Sequence, residues 1–399
     1  MEMNELIRES NTAIASAPIA NTRLDVLNAS WENRLIAVQG HRGSGKTTAL
    51  LQYLQQQPDQ SACIYISLDH FYFQKQSLYE TVRGLFQEGY TLFVLDEVHK
   101  YLNWSIEIKS LYDSYKKIRI IFTGSSALQI YKSNADLSRR AVDYHLPVLS
   151  LREFIQLETG LKLQAISLET LLKDHVELSF SFSKKIGSPL KYFKQYMEYG
   201  CYPFYLESKT AYRSKLMRTT NLVLETDVAA VTNMPYHSIY KMKKLLAFIA
   251  QSVPFKPNIT KLAESIEAKR ETTMLYLEQL QRAGIIRMLS VSGKTMGPLT
   301  KPDKIYLDNP NLASALAFGD VNTGNNREAF FLSHLSKDHL VQASPVSDFV
   351  VNEKYTFEIG GKNKQSKQVR GVTKSYVVKD DLLTGAGNEI PLWLFGMLY

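Results

Sequence analysis

Cysteine is scarce in this sequence, with only Cys63 and Cys201 in 399 residues. One pair cannot build a disulfide framework, and no CxxC spacing is present to hold zinc. Both thiols sit among apolar and aromatic neighbours and are expected to be buried. Long apolar runs are missing as well. Nothing reaches the roughly 18 consecutive apolar residues that a membrane helix needs, so a spanning helix is not expected. The opening MEMNELIRES is polar and acidic, without the basic-then-apolar layout of a signal peptide, and the cytoplasm is the expected compartment. No internal repeat or low-complexity tract is visible. What remains is ordinary: 45% hydrophobic and 22% charged residues suit a soluble globular chain of two or three domains. The net charge of +8 permits a polyanionic partner without requiring one.

Apolar strands and helical runs alternate along the first third. RLIAVQ, ACIYISLD, TLFVLDE, IRIIFTGSS and AVDYHLPVLS read as strands, and TTALLQYLQQQ reads as an amphipathic helix. That alternation implies a parallel sheet covered on both faces. Residues 151–235 read mostly helical, with a break at Gly200–Tyr205, and residues 236–297 have the spacing of three helices followed by a hairpin.

The segment VQGHRGSGKTT joins the first strand to the first long helix. Gly40, His41, Arg42, Gly43, Ser44, Gly45, Lys46 and Thr47 fit GxxxxGK[ST] at every fixed position, and Thr48 follows. Glycines let the backbone curl so that several N–H groups face one anion, and the helix start adds its positive dipole end. Lys46 is expected to reach the β- and γ-phosphates of a nucleotide, and Thr47 to bind Mg²⁺. A glycine-rich turn that merely caps a helix is the plain alternative. The strand TLFVLDE supplies the second acid: Asp96 as a Mg²⁺ partner and Glu97 as the group that polarises the attacking water. His99 reads as structural. On the next strand end, Thr123–Ser126 offers hydroxyls, with Ser125 the candidate sensor of the terminal phosphate, although turn formation explains it as well. Arg139 and Arg140 suit either a phosphate-sensing role in cis or trans, or a solvated helix end. Asp69 is a weaker candidate for a polar contact near the phosphates.

Together, HRGSGKTT, LFVLDEVHKYLNWSIEIKSLYD, IIFTGSSALQI and ADLSRRAVDYHLPVLSLREF resemble bacterial AAA+ ATPases of the archaeal-ATPase-like branch. The resemblance covers essentially the whole chain and is strongest over residues 30–155. It implies an α/β fold: a P-loop NTPase with a three-layer parallel sheet, then a helical region, a winged helix and a small α/β domain similar to PD-(D/E)XK nucleases. The expected domains are 1–29 (helical lead-in), 30–155 (ATPase), 156–235 (helical connector), 236–300 (winged helix) and 308–399 (nuclease-like). The family's motifs would make Gly40–Thr47 the Walker A loop, Asp96 and Glu97 Walker B, Thr123–Ser126 sensor 1, and Arg139 or Arg140 an arginine-finger-like element acting through self-association. ATP and Mg²⁺ are the implied cofactors.

In the expected winged helix, Leu262, Ile266, Leu275, Leu277 and Leu280 are assigned to the core. Lys269, Arg270, Thr272 and Thr273 stand near the start of the third helix, and Lys294 on the wing. These are residue types that contact phosphates and bases, so DNA is a candidate partner; protein packing is the alternative. Near the end, Asp348 and Glu358, followed by Lys362, approach the layout of a metal-dependent nuclease, with Glu328 as an added helical carboxylate. The sequence departs from Glu-x-Lys because two glycines intervene, so either a bulge restores the geometry or the site is dead. Three functions follow for comparison. One is an ATPase switch, one a nucleotide-regulated binding module without nuclease activity, and one a small-molecule kinase, which the large additions disfavour.

Overall fold

The computed structural model describes residues 3–18, 23–124, 137, 139–232, 234–251, 257–291, 300–316, 323–364 and 371–399. They divide into two compact units, Met1–Pro147 and Val148–Tyr399.

In the first unit, five strands form one parallel sheet: β1 (Leu35–Gly40), β2 (Cys63–Ser67), β3 (Leu92–Asp96), β4 (Arg119–Thr123) and β5 (Val142–Leu146). Their order is β2-β3-β4-β1-β5, and the arrangement matches a P-loop NTPase core. The apolar runs explain the sheet. All five residues of β3 are buried, as continuous Val/Ile/Leu runs require when helices cover both faces. Each fully buried aliphatic side chain contributes roughly 1.5–3 kcal/mol. Helices Lys46–Gln55, Leu78–Gln87 and Trp104–Ser114 connect successive strands, and helix Met3–Ser16 packs on β2. The order places β4 between the strand that feeds the glycine-rich loop and the strand that ends in Asp96. The C-terminal ends of β1, β3 and β4 are therefore brought to one edge.

The second unit begins at Val148. Ser150 opens helix Leu151–Thr159 with a reciprocal capping box to Glu153, and Arg152 of that helix donates to the carbonyls of Tyr399 (2.9 Å) and Leu163 (2.9 Å). Further along lie three helices, Tyr236–Gln251, Ile259–Ser265 and Arg270–Arg282, followed by the antiparallel pair β6 (Ile286–Leu289) and β7 (Lys304–Leu307). Leu275, expected in the core, is 41% exposed, whereas Met274, Tyr276, Leu277 and Leu280 are buried. The 3.6-residue period turns position 275 away from the face defined by 273, 277 and 280.

The C-terminal sheet is mixed: β9 (Phe349–Val351) pairs antiparallel with both β8 (Val341–Ala343) and β10 (Tyr355–Gly360), then β11 (Ser375–Lys379) pairs in parallel with β10 and β12 (Glu389–Pro391) in parallel with β11. The β6–β7 hairpin reaches this sheet, because Ala343 N–H donates to the carbonyl of Ser290 (3.1 Å). The closing apolar segment Leu392–Met397 forms a short 3₁₀ helix whose residues are all buried. Among the described residues no helix is long and apolar enough to cross a membrane.

Candidate nucleotide site

The glycine-rich loop leaves β1 at Gly40 and enters helix Lys46–Gln55 at Gly45. Gly45 has φ +91°, a left-handed conformation that L side chains rarely adopt. At Gly40 the constraint is also spatial: a Cβ there would lie 2.3 Å from the Leu146 carbonyl oxygen of β5. Beneath the loop, buried Arg23 donates to the carbonyls of Ser44 and Pro147, the latter at 3.0 Å. Ser44 is fully buried and Thr48 is exposed. His41 stands edge-on to His145, and Arg42 and Gly43 form the loop's outer turn.

Lys46 is buried, and its Nζ donates to the carbonyls of Gly40 (3.0 Å) and His41 (3.0 Å). The ammonium is thus folded back over its own loop. Thr47 Oγ1 donates to Asp96 Oδ2 at 2.7 Å, joining residues 49 apart in sequence. Tyr65 OH donates to the same oxygen at 2.9 Å, and Thr123 Oγ1 donates to Oδ1. Burial raises the Tyr65 phenol above its ordinary pKa, and the charge of Asp96 adds to this, so the hydroxyl stays a donor. Three hydroxyls therefore aim a buried carboxylate at the start of the helix. A threonine hydroxyl beside a carboxylate is a hard-oxygen donor set, and it fits Mg²⁺.

Glu97 follows in a left-handed conformation (φ +53°), unusual for a non-glycine residue. Its N–H donates to Thr123 Oγ1 at 3.1 Å, and its Oε2 lies 3.3 Å from His99 Nε2, whose side chain is 3% exposed. Positive φ at this position re-aims the carboxylate immediately after the Asp96 strand end. His99 thus touches the group that the sequence nominated as the water-polarising residue.

Other nominated residues are placed differently. Arg140 makes a fork to Asp113 (3.0 and 2.9 Å) on helix Trp104–Ser114, and this pairing lowers the Asp113 pKa. Arg139 is exposed, and so is Asp69, in the turn after β2. Ser125 and Lys294 lie outside the described residues. In the second unit Lys269 and Arg270 are exposed at the start of helix Arg270–Arg282. Thr272 is half-buried, and Thr273 is fully buried with its hydroxyl on the Lys269 carbonyl (3.0 Å).

Glu328, Asp348 and Glu358 do converge, but Lys362 is exposed in the turn after β10 and Lys364 takes Glu358 instead. Lys304 and Tyr306 complete this group and were missed. Nothing in a linear motif points to a lysine 44 residues before Asp348. Tyr65 and Arg23 were missed for the same reason, although the position of Tyr65 on the strand beside TLFVLDE was a usable signal.

Residues 32–155 match the family described as an AAA domain. The P-loop unit is AAA-like. Residues 190–324 match a domain family of unknown function. An uncharacterized protein of Methanocaldococcus jannaschii is 26% identical over 383 residues, covering 88% of this chain and 80% of that protein. Among solved structures, a Walker-type ATPase of Pyrococcus abyssi aligns at TM-score 0.44 with 13% identity, over 76% of this chain and 99% of that one. The S. cerevisiae Hsp104–ADP complex aligns at TM-score 0.33 with 13% identity, over 71% and 41%.

Proposed function

We propose that the chain is a Mg²⁺-dependent ATPase whose nucleotide state switches the regions that follow the P-loop unit, with DNA as the candidate partner. The observation that carries this reading is the Thr47–Asp96 hydrogen bond beneath a glycine loop capped by Lys46. Lys46 exchanges the Gly40 and His41 carbonyls for phosphate oxygens, the loop amides hold the same anion, and Thr47 and Asp96 hold the metal. Bound Mg²⁺ supplies charge neutralisation at the phosphate oxygens. Glu97 orients water, with His99 fixing its carboxylate. Arg139, exposed beyond β4, is the better arginine-finger candidate for action across a self-associated assembly, since Arg140 is engaged by Asp113.

The order of three helices and a hairpin supports the winged-helix reading of residues 236–300, and exposed Lys269 and Arg270 support phosphate contact there. A second reading, a nucleotide-regulated binding module without nuclease activity, is favoured by the lysines that fill the C-terminal carboxylate cluster. ATP turnover tests the proposal. Wild-type protein hydrolyses ATP, Lys46→Ala does not, and Glu97→Gln binds ATP while hydrolysis falls by roughly 10²–10⁴-fold. Wild-type protein that turns over no ATP refutes it, and unchanged partner binding by Lys46→Ala favours the second reading.

A further inference from the structure

Resemblance to PD-(D/E)XK nucleases implies a divalent metal held by Asp348 and Glu358, with Glu328 added and a lysine nearby. The side chains present do not fit that group. Lys304, on β7, places its Nζ 3.2 Å from Asp348 Oδ1 and 3.9 Å from Glu328 Oε2, and it also donates to the Asp348 carbonyl at 3.2 Å. The other Asp348 oxygen, Oδ2, accepts the Ile359 N–H at 2.8 Å. Glu328 Oε2 accepts the Tyr306 hydroxyl at 2.7 Å, and Glu358 Oε1 accepts Lys364 Nζ. Among the described residues no group of three or more His, Cys, Asp or Glu side chains could hold a metal ion.

We propose that Lys304 is the resident cation of this cluster, standing where a divalent ion would have to sit, and that the cluster is a metal-free lock fastening the β6–β7 hairpin to the C-terminal sheet. The geometry supports this in three ways. First, Mg²⁺ demands six oxygen ligands near 2.1 Å, and an ammonium bridging two of the three carboxylates excludes it. Second, the charges nearly balance. Two ammonium groups face three carboxylates, and burial, with the Asp348 charge, raises Glu328 toward its neutral form.

Third, the lysine on Glu358 is built in by the backbone. Lys364 N–H donates to the Gly361 carbonyl at 2.9 Å, and the turn folds the lysine stem back over Gly360, where a Cβ would lie 2.5 Å from Lys364 Cγ. Gly360, the first of the two glycines that break the Glu-x-Lys spacing, thus leaves room for the Lys364 stem. Lys304 belongs to the hairpin, Glu328 to helix Thr323–Leu335 and Asp348 to the head of β9, so one ammonium ties three elements together. This holds whether or not the chain hydrolyses ATP.

The test uses the full chain and Mn²⁺ as the probe, with binding followed by electron paramagnetic resonance. Because the Thr47–Asp96 site is proposed to take a divalent ion as well, the comparison is wild type against Asp348→Asn. The expected result is the same Mn²⁺ isotherm for both, with a wild-type melting temperature unmoved by EDTA. A Mn²⁺ site lost in Asp348→Asn, or Mn²⁺-dependent DNA cleavage lost in that variant, overturns the proposal. In a second arm, Lys304→Met lowers the melting temperature by several degrees, and adding Asp348→Asn recovers part of the loss, because the unpaired carboxylate is gone. Strictly additive effects of the two substitutions also overturn the proposal. If Lys304→Met does not fold, Lys304→Gln serves in the same cycle.

Discussion

Replacing Glu328 by glutamine should change how stability depends on pH, and the sign follows from the structure. Glu328 rises from the ordinary 4.5 to about 7. Burial is the largest cause and the Asp348 charge the next, opposed by Lys304 and by the Tyr306 hydrogen bond. Below 4.5 the carboxyl is protonated in both the folded and unfolded chain and contributes no pH dependence. Between 4.5 and about 7 the folded chain keeps a proton that the unfolded chain has released, so wild-type stability falls as pH rises. Above 7 the loss is complete. At about 1.4 kcal/mol per pKa unit, the fall amounts to at most about 3 kcal/mol. Glutamine keeps an acceptor for Tyr306 and does not titrate. Urea unfolding of both proteins from pH 4.5 to 8 should therefore show the variant gaining on wild type by up to about 3 kcal/mol, levelling off near pH 7. A pH-independent difference refutes the reasoning. A difference of the opposite sign means an ionised, cation-stabilised carboxylate, as in a metal site.

Further expectations concern the P-loop unit and the three-helix region. Gly40→Ala forces a Cβ against the Leu146 carbonyl and should cost about 1–3 kcal/mol of stability together with ATP affinity; thermal melts equal to wild type contradict this. Tyr65→Phe removes one of the hydroxyls that aim Asp96 and should raise the Mg²⁺ concentration needed for half-maximal ATP turnover; an unchanged requirement contradicts it. For DNA, Lys269→Ala with Arg270→Ala should reduce the slope of log affinity against log salt by about 2, and an identical slope removes both residues from the interface.

The first sheet was legible because its strands are continuous apolar runs between turn-forming residues, and the loop's curl was legible because its positive-φ positions, Gly40, Gly43 and Gly45, need glycine. The pairing of Thr47 with Asp96 followed from the chemistry of two motifs. The limits have physical causes. Lys364 replaced Lys362 because a turn, not a bulge, follows Gly360. Lys304 became visible only when β7 was set beside the head of β9. Leu275 shows the smaller error of assigning every leucine of a helix to its core face.

The most direct test of the central claim is equilibrium binding of ATP with Mg²⁺ to the full chain and to Lys46→Ala, followed by fluorescence of a labelled nucleotide. Saturable binding by wild type that disappears in Lys46→Ala, with the variant's fold intact by circular dichroism, is the predicted result. Binding of equal strength in the two proteins, or none in wild type, would contradict the assignment of residues 40–48 as a nucleotide cradle.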